Sequence, residues 1–169
     1  FSEISSSANT EQATGEPEGS GVASAASDGN SSTYWHSSWN GFTVSKENPA
    51  ILTVDLGKEM KIGGFKFQQR PSANNGIVQQ FKYEVLDSEG NVLEASDSIT
   101  VLSSEMQGGA WVTAKFEETL NAKTIKIYVE KGQGNFAAIS EVVPISTQKV
   151  ADTASLEDVT MNIGGKVTL

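Results

Sequence analysis

The chain has 169 residues, room for one ordinary domain and a tail but not for two full domains. Its 21 acidic against 12 basic residues give a net charge of −9, which repels a phosphate backbone or an anionic membrane surface and argues against a nucleic-acid partner or membrane insertion. With no cysteine, neither a disulfide framework nor a thiolate zinc site is open to it, so any staple must use oxygen or histidine ligands.

The opening stretch from Ser2 to Ser27 is rich in Ser, Ala, Gly and Glu, with Pro17 in the middle; it shows no helical period and reads as a loop or ragged edge strand. The start at Phe1 carries no leader and reads as an excised fragment. No segment approaches the roughly 20 apolar residues that span a bilayer. From Asn48 onward the pattern changes to short apolar alternations broken by turn residues, as in antiparallel strands with one face on a core. Leu52, Val54 and Leu56 share a face, and Gly57 stops the run. Phe65 and Phe67 form the next strand, ending before Arg70 and Pro71. Phe81, Tyr83 and Val85 follow, and the turn Asp87-Ser88-Glu89-Gly90-Asn91 leads to a partner strand at Val92 and Leu93, a hairpin signal. Further strands are expected at Ile99 and Val101, at Val112, Ala114 and Phe116, at Ile125, Ile127 and Val129, and from Ile139 to Ile145. Short strands at intervals of about ten residues, without a convincing helix, predict an all-β antiparallel sandwich or barrel.

The main domain is placed at residues 1–146. After Pro144 the chain turns polar, and a new alternation begins at Val159, Met161 and Ile163. Residues 147–169 read as a linker and the first strands of a following domain that resembles bacterial immunoglobulin-like repeats; the alternative is an edge hairpin added to the sandwich.

The most informative segment runs from Ala25 to Trp39. Asp28, Asn30 and Thr33 put three oxygen-bearing side chains on one Gly-containing loop, an arrangement suited to a hard cation such as Ca²⁺, which takes six to eight oxygens at about 2.3–2.6 Å. By itself Asp-Gly-Asn is equally an ordinary turn. The wider pattern resembles the discoidin-like (coagulation factor V/VIII C-type) family and, within it, carbohydrate-binding module family 32. The resemblance rests on Asp28-Gly29-Asn30, Thr33 and Trp35-His36-Ser37, then Pro49 to Gly57, then Arg70-Pro71 with Asn75-Gly76, and finally Phe136 to Val142. These motifs come in family order from about residue 4 to residue 145.

The resemblance implies a jelly-roll sandwich with a structural Ca²⁺ joining the first loop to the last strand. Its ligands would be Ala25 and Asn30 through their backbones, the Asp28 side chain, both oxygens of Thr33, the Ser140 backbone and the Glu141 carboxylate. It also implies a site for galactose-type sugars formed by His36, Trp39, Arg70, Asn75 and Phe136. That set makes physical sense, because an aromatic face stacks on the apolar patch of a pyranose while planar polar groups hydrogen-bond its hydroxyls. Arg70 is expected as a rigid donor to an axial hydroxyl, and His36 as donor or acceptor. Trp35 is expected to pack the first loop, and Trp111 to lie in strand core or on a sheet face. The loop Ser103–Gly109, with Glu105 and Met106, is long enough to narrow the site.

Catalysis is not expected. No pair of carboxylates stands out for glycoside hydrolysis, no Gly-x-Ser-x-Gly is present, and a single histidine does not make a zinc hydrolase. The expectation is therefore a non-catalytic module of a larger secreted or surface bacterial protein, for which the resemblance suggests a glycoside hydrolase. It would bind galactose, N-acetylgalactosamine or N-acetylglucosamine ends outside the cell. Two other readings are a protein- or cell-surface-adhesion module and a structural spacer with a degenerate site.

Overall fold

A computed structural model describes residues 3–146 of the chain, and the expectation of a linker and second domain at 147–169 lies outside the described residues. Among the described residues the fold is built from nine antiparallel strands: β1 (Ser5–Ala8), β2 (Trp35–His36), β3 (Ala50–Gln68), β4 (Val78–Leu86), β5 (Val92–Ala95), β6 (Ile99–Thr100), β7 (Trp111–Gly132), β8 (Ala138–Ile139) and β9 (Glu141–Ser146). Three short 3₁₀ turns, at Ala23–Ser27, Ser103–Glu105 and Gln133–Asn135, are the helical elements among the described residues.

Two long strands organise the sandwich. The alternations at Leu52–Leu56 and Phe65–Phe67 belong to one strand of 19 residues, and those at Val112–Phe116 and Ile125–Val129 to one of 22. Gly57 does not end its strand. It sits at φ 85°, its N–H bonded to the Asp55 carboxylate at 2.8 Å, and the ladder with β7 breaks after Asp55 and resumes at Met60. Each long strand thus contributes to both layers. The first half of β3 lies between β1 and the second half of β7, and β4 continues that layer to β5 and β6. The second half of β3 lies between β9 and the first half of β7.

The inward faces meet as the alternation requires. Leu52, Val54, Phe65, Phe67, Phe81, Val85, Ile125, Ile127 and Val129 are fully buried. Edge-to-face pairs Phe65–Tyr83 at 5.3 Å and Phe67–Phe81 at 5.2 Å join one layer to the other. Burial of such a side chain contributes about 1.5–3 kcal/mol. The hairpin at Asp87–Asn91 is present, with Asp87 accepting the N–H groups of Glu89 and Asn91, both at 2.9 Å.

One end of the sandwich is closed by the small β2–β8 ladder, in which Trp35 faces Ile139 and His36 faces Ala138. Trp35 is fully buried, with its indole N–H on the Thr10 carbonyl at 2.8 Å. Trp111 points outward from the sheet, with the Lys66 ammonium 4.4 Å from its ring centre.

Candidate functional site

β2 has a period of two, so with Trp35 turned into the core, Tyr34 and His36 project on the opposite side. Their rings are 6.5 Å apart. Ser37 continues the cross-link to the other loop: its N–H bonds the Ala137 carbonyl at 2.8 Å and its hydroxyl oxygen accepts the Ala137 N–H at 3.0 Å. Phe136 is thereby brought to 5.3 Å from the His36 ring.

A cavity of about 710 Å³ opens here, lined by Glu16, His36, Trp39, Arg70, Ala73, Asn74, Asn75, Gln133 and Phe136. All five residues expected to form the sugar site line this one cavity. Its floor is buried and its rim is open: His36 and Arg70 are 2% and 6% exposed, whereas Trp39 is 42% exposed.

The buried groups are ordered by one another. Arg70 donates from Nε to the Ser72 carbonyl and from Nη1 to the Asn75 carbonyl, both at 2.6 Å, and from Nη2 to the Tyr34 hydroxyl at 3.0 Å. Its guanidinium also lies 4.4 Å from the centre of the Tyr34 ring. Of its five N–H groups these contacts leave two. Arg70 therefore organises its own loop as well as facing the cavity, a wider task than the donor role expected of it.

The Tyr34 hydroxyl in turn donates to Glu16 Oε1 at 2.6 Å, and the Trp39 indole N–H donates to Glu16 Oε2 at 2.9 Å. Burial raises Glu16's proton affinity, but the hydrogen bonds from Tyr34 and Trp39, with His36 and Arg70 close by, more than offset it, leaving the carboxyl below its ordinary range. Burial, then the bond to Glu16, pushes Tyr34 up to about 12, so it stays a donor.

The His36 ring nitrogen Nδ1 lies 2.7 Å from the Ser37 carbonyl. A carbonyl only accepts, so Nδ1 carries the hydrogen and Nε2 of the neutral ring is an acceptor. Burial holds the His36 pKa below its ordinary value despite Glu16 and the Ser37 contact, which keeps the ring neutral at pH 7. The cavity thus presents an acceptor from His36, donors from Arg70, an exposed indole face and a phenyl ring.

Glu16 and Tyr34 were not singled out by the sequence. Tyr34 was legible, since it stands two residues before His36 and so shares its side of the extended segment leading into β2. Glu16 was not, because nothing in Gly15-Glu16-Pro17 separates it from the other acidic residues. The loop Ser103–Gly109 does not line the cavity; it packs behind it, with Gly109 N–H on the Arg70 carbonyl at 2.9 Å and Gln69 donating to the Glu105 carbonyl at 3.1 Å.

Of the second expected set, Asp28, Asn30, Thr33, Ser140 and Glu141 share one hydrogen-bonded region, and Ala25 lies in the adjoining turn. The turn Ala23–Ser27, in which Ala25 is buried, leads into Asp28. Asp28 accepts the Asn30 N–H at 2.9 Å and the Thr33 hydroxyl at 2.5 Å. The Asn30 carbonyl accepts the Thr33 hydroxyl at 3.0 Å. From the far end of the chain, Ser140 donates to the carbonyls of Ser31 and Thr33 at 2.9 and 2.8 Å, and both Glu141 oxygens accept the Gly29 N–H at 3.1 and 3.2 Å. Burial, then a hydrogen bond with Asp28 and its negative charge, raises Glu141 to about 7. Among the described residues no ion pair relieves these two carboxyls, and no group of three or more His, Asp or Glu side chains converges. Two carboxylates among hydroxyls and carbonyls are an oxygen set for a hard cation rather than for zinc.

Comparison with known proteins agrees with the fold. The family model of the F5/8 type C domain matches residues 3–142. The family 32 carbohydrate-binding module of Clostridium perfringens NanJ, solved with galactose, is 29% identical and superposes with a TM-score of 0.70 over 85% of this chain and 93% of that one. The C-terminal domain of a chitobiase from Bacteroides fragilis is 26% identical with a TM-score of 0.68, over 86% and 94% of the two chains. A CBM32 module from Clostridium perfringens in complex with GalNAc-β-1,3-galactose, at 23% identity and a TM-score of 0.72 over 86% and 96%, shares the fold. A family model spanning nearly the whole described sandwich, with family 32 modules superposing on it, establishes that the chain belongs to the F5/8 type C, or discoidin-like, family of non-catalytic binding modules.

Proposed function

We propose that the chain is a carbohydrate-binding module that takes a galactose-configured or N-acetylhexosamine glycan end in the cavity of His36, Trp39, Arg70, Asn75 and Phe136. One observation carries the reading: His36, whose neutral ring has an acceptor nitrogen to spare, and Arg70, with two N–H groups to spare, line the same open cavity, beside Trp39, 42% exposed yet held by Glu16. A sugar hydroxyl both donates and accepts, so one hydroxyl reaching these two groups satisfies both of its roles, while the pyranose C–H patch stacks on Trp39 or Phe136. The galactose bound by the NanJ module supports the sugar class. An open cavity of this kind binds weakly, and affinity is recovered by multivalent display, which suits a module carried on a larger secreted or surface protein such as a glycoside hydrolase.

We further propose that Ca²⁺ bridges Asp28 and Glu141, with the backbones of Ala25, Asn30 and Ser140 and both oxygens of Thr33 completing its shell. The convergence of two carboxyls without a basic partner supports this. The ion would join residues 25–33 to the start of β9 and perform no chemistry.

The test is a calorimetric and NMR titration with galactose, N-acetylgalactosamine, N-acetylglucosamine and lactose. Saturable binding of one of them, lost in His36→Ala, is expected. Silence from all four at millimolar sugar would overturn the proposal in favour of a spacer or a protein-adhesion module.

A further inference from the structure

The cavity is larger than its buried floor needs. Pockets of about 300–1,000 Å³ are usual for drug-sized ligands, and a single pyranose is smaller than these; this one is about 710 Å³. The groups that would hold a terminal sugar, His36 and Arg70, lie at its buried end. Besides Asn75, two further side-chain amides, Asn74 and Gln133, line it on the exposed rim.

These amides belong to different loops, and both loops are fixed through their backbones. Gly76 N–H donates to the Gln133 carbonyl and Gln133 N–H to the Ile77 carbonyl, both at 2.9 Å, while Ile77 N–H closes on the Asn74 carbonyl at 3.0 Å. Arg70 grips the carbonyls of Ser72 and Asn75 on either side of Ala73 and Asn74. The bonds that Asn74 and Gln133 themselves make use their main-chain atoms, so the amides are left to the cavity that both residues line.

The backbone beside each amide is also unusual. Ala73, which has none of glycine's or asparagine's tolerance for the left-handed region, sits at φ 65°, and Gln133 is followed by Gly134 and Asn135 at 72° and 69°. Such conformations persist where the surroundings over-determine them, commonly at ligand-contacting rims.

Building on the sugar-site reading, we propose that Asn74 and Gln133 form a second subsite, so that the glycan recognised is at least a disaccharide whose penultimate residue offers hydroxyl or N-acetyl groups to both amides. Each amide has donors and an acceptor, which suits hydroxyls of either hydrogen-bonding sense and an acetamido group. Arms from two loops contact the second ring without deepening the floor.

The experiment is calorimetry on the whole chain with galactose, N-acetylgalactosamine, lactose and GalNAc-β-1,3-galactose, for the native protein, Gln133→Ala and the Asn74→Ala/Gln133→Ala double variant. The amides are exposed, so melting curves should coincide. At least one disaccharide should bind about tenfold more tightly than its own terminal monosaccharide, as two ordinary hydrogen bonds would give. In the double variant that ratio should fall to about one with monosaccharide affinity within about twofold, and Gln133→Ala should lie between. A ratio of one in the native protein, or a ratio that survives in the double variant, overturns the subsite while leaving the terminal-sugar site standing. Failure of every sugar, monosaccharides included, overturns the sugar reading itself and the subsite with it.

Discussion

At Glu16 two hydrogen bonds, from the Tyr34 hydroxyl and the Trp39 indole, converge on one carboxylate. Tyr34 passes that order on to Arg70 through its hydroxyl oxygen and its ring face, so Glu16 fixes the stacking platform and, at one remove, the guanidinium. Hydrogen bonds to a charged group are worth about 1.5–3 kcal/mol each, and part of that loss should appear as disorder in the site. Glu16→Ala is therefore expected to weaken sugar binding by about tenfold or more in calorimetry. Glu16→Gln, which keeps an acceptor for one of the two donors, should fall between. The sign of the pH dependence follows from His36. Under the proposed reading its Nε2 accepts from the sugar only while the ring is neutral, and burial, the leading influence, holds its pKa below 6.5. Affinity should stay level from pH 8 down to about 6.5 and decline in more acid solution as the second proton is taken up. A titration series that strengthens in acid would show that His36 meets the sugar as a donor.

At the scale of the elements, most of the sandwich was legible in the sequence because each strand carries a clean inside–outside alternation: Leu52-Val54-Leu56, Phe65-Phe67 and Ile125-Ile127-Val129 are all buried. The continuity of β3 and β7 was not, since a glycine in an alternating run signals a stop as readily as a bend. What decides at Gly57 is tertiary: a Cβ built there would lie 2.6 Å from Glu3 Cβ, so β3 bends past the N-terminal segment. The candidate site divides in the same way. Residues on or next to strands, His36, Arg70 and Phe136, are positioned by register, whereas Glu16 arrives on a loop whose course depends on contacts remote in sequence. Gly15 shows how tightly that loop fits. At φ 92°, a Cβ on it would stand 2.4 Å from the edge of the Trp39 indole. Gly15→Ala should displace Trp39 and lower sugar affinity about as much as Trp39→Ala does, with the core melting within a few degrees of the native protein. Full affinity in Gly15→Ala would mean that the indole has another resting place from which to stack.

For the whole molecule, the cluster at Asp28 and Glu141 joins segments separated by over a hundred residues of chain, so its charge state bears on global stability. Glu141 titrates near 4.5 when unfolded and about 7 when folded, raised first by burial and then by Asp28. A carboxyl raised on folding contributes stability below the unfolded value, and that contribution is lost as pH climbs through the folded one. In chelator, the melting temperature should therefore fall between about pH 5 and 7.5. Under the calcium proposal the sense reverses, because the ion would bind the doubly ionised pair and compete with the proton. At a concentration about a hundredfold over its dissociation constant it adds about 2.7 kcal/mol, or about 5–10 °C for a domain of this size. Added Ca²⁺ should then lift the melting curve most near pH 7.5, where the metal-free protein is weakest, and flatten its pH dependence. Asp28→Ala should remove the calcium response, since a ligand is lost, and lessen the fall with pH without abolishing it, since burial, the larger cause of the Glu141 shift, remains. Differential scanning calorimetry across pH with and without Ca²⁺ separates the two possibilities cleanly. A melting temperature that falls with pH and ignores Ca²⁺ would leave a carboxyl pair sharing a proton, whereas one that rises with Ca²⁺ in the native chain alone assigns the cluster to the ion.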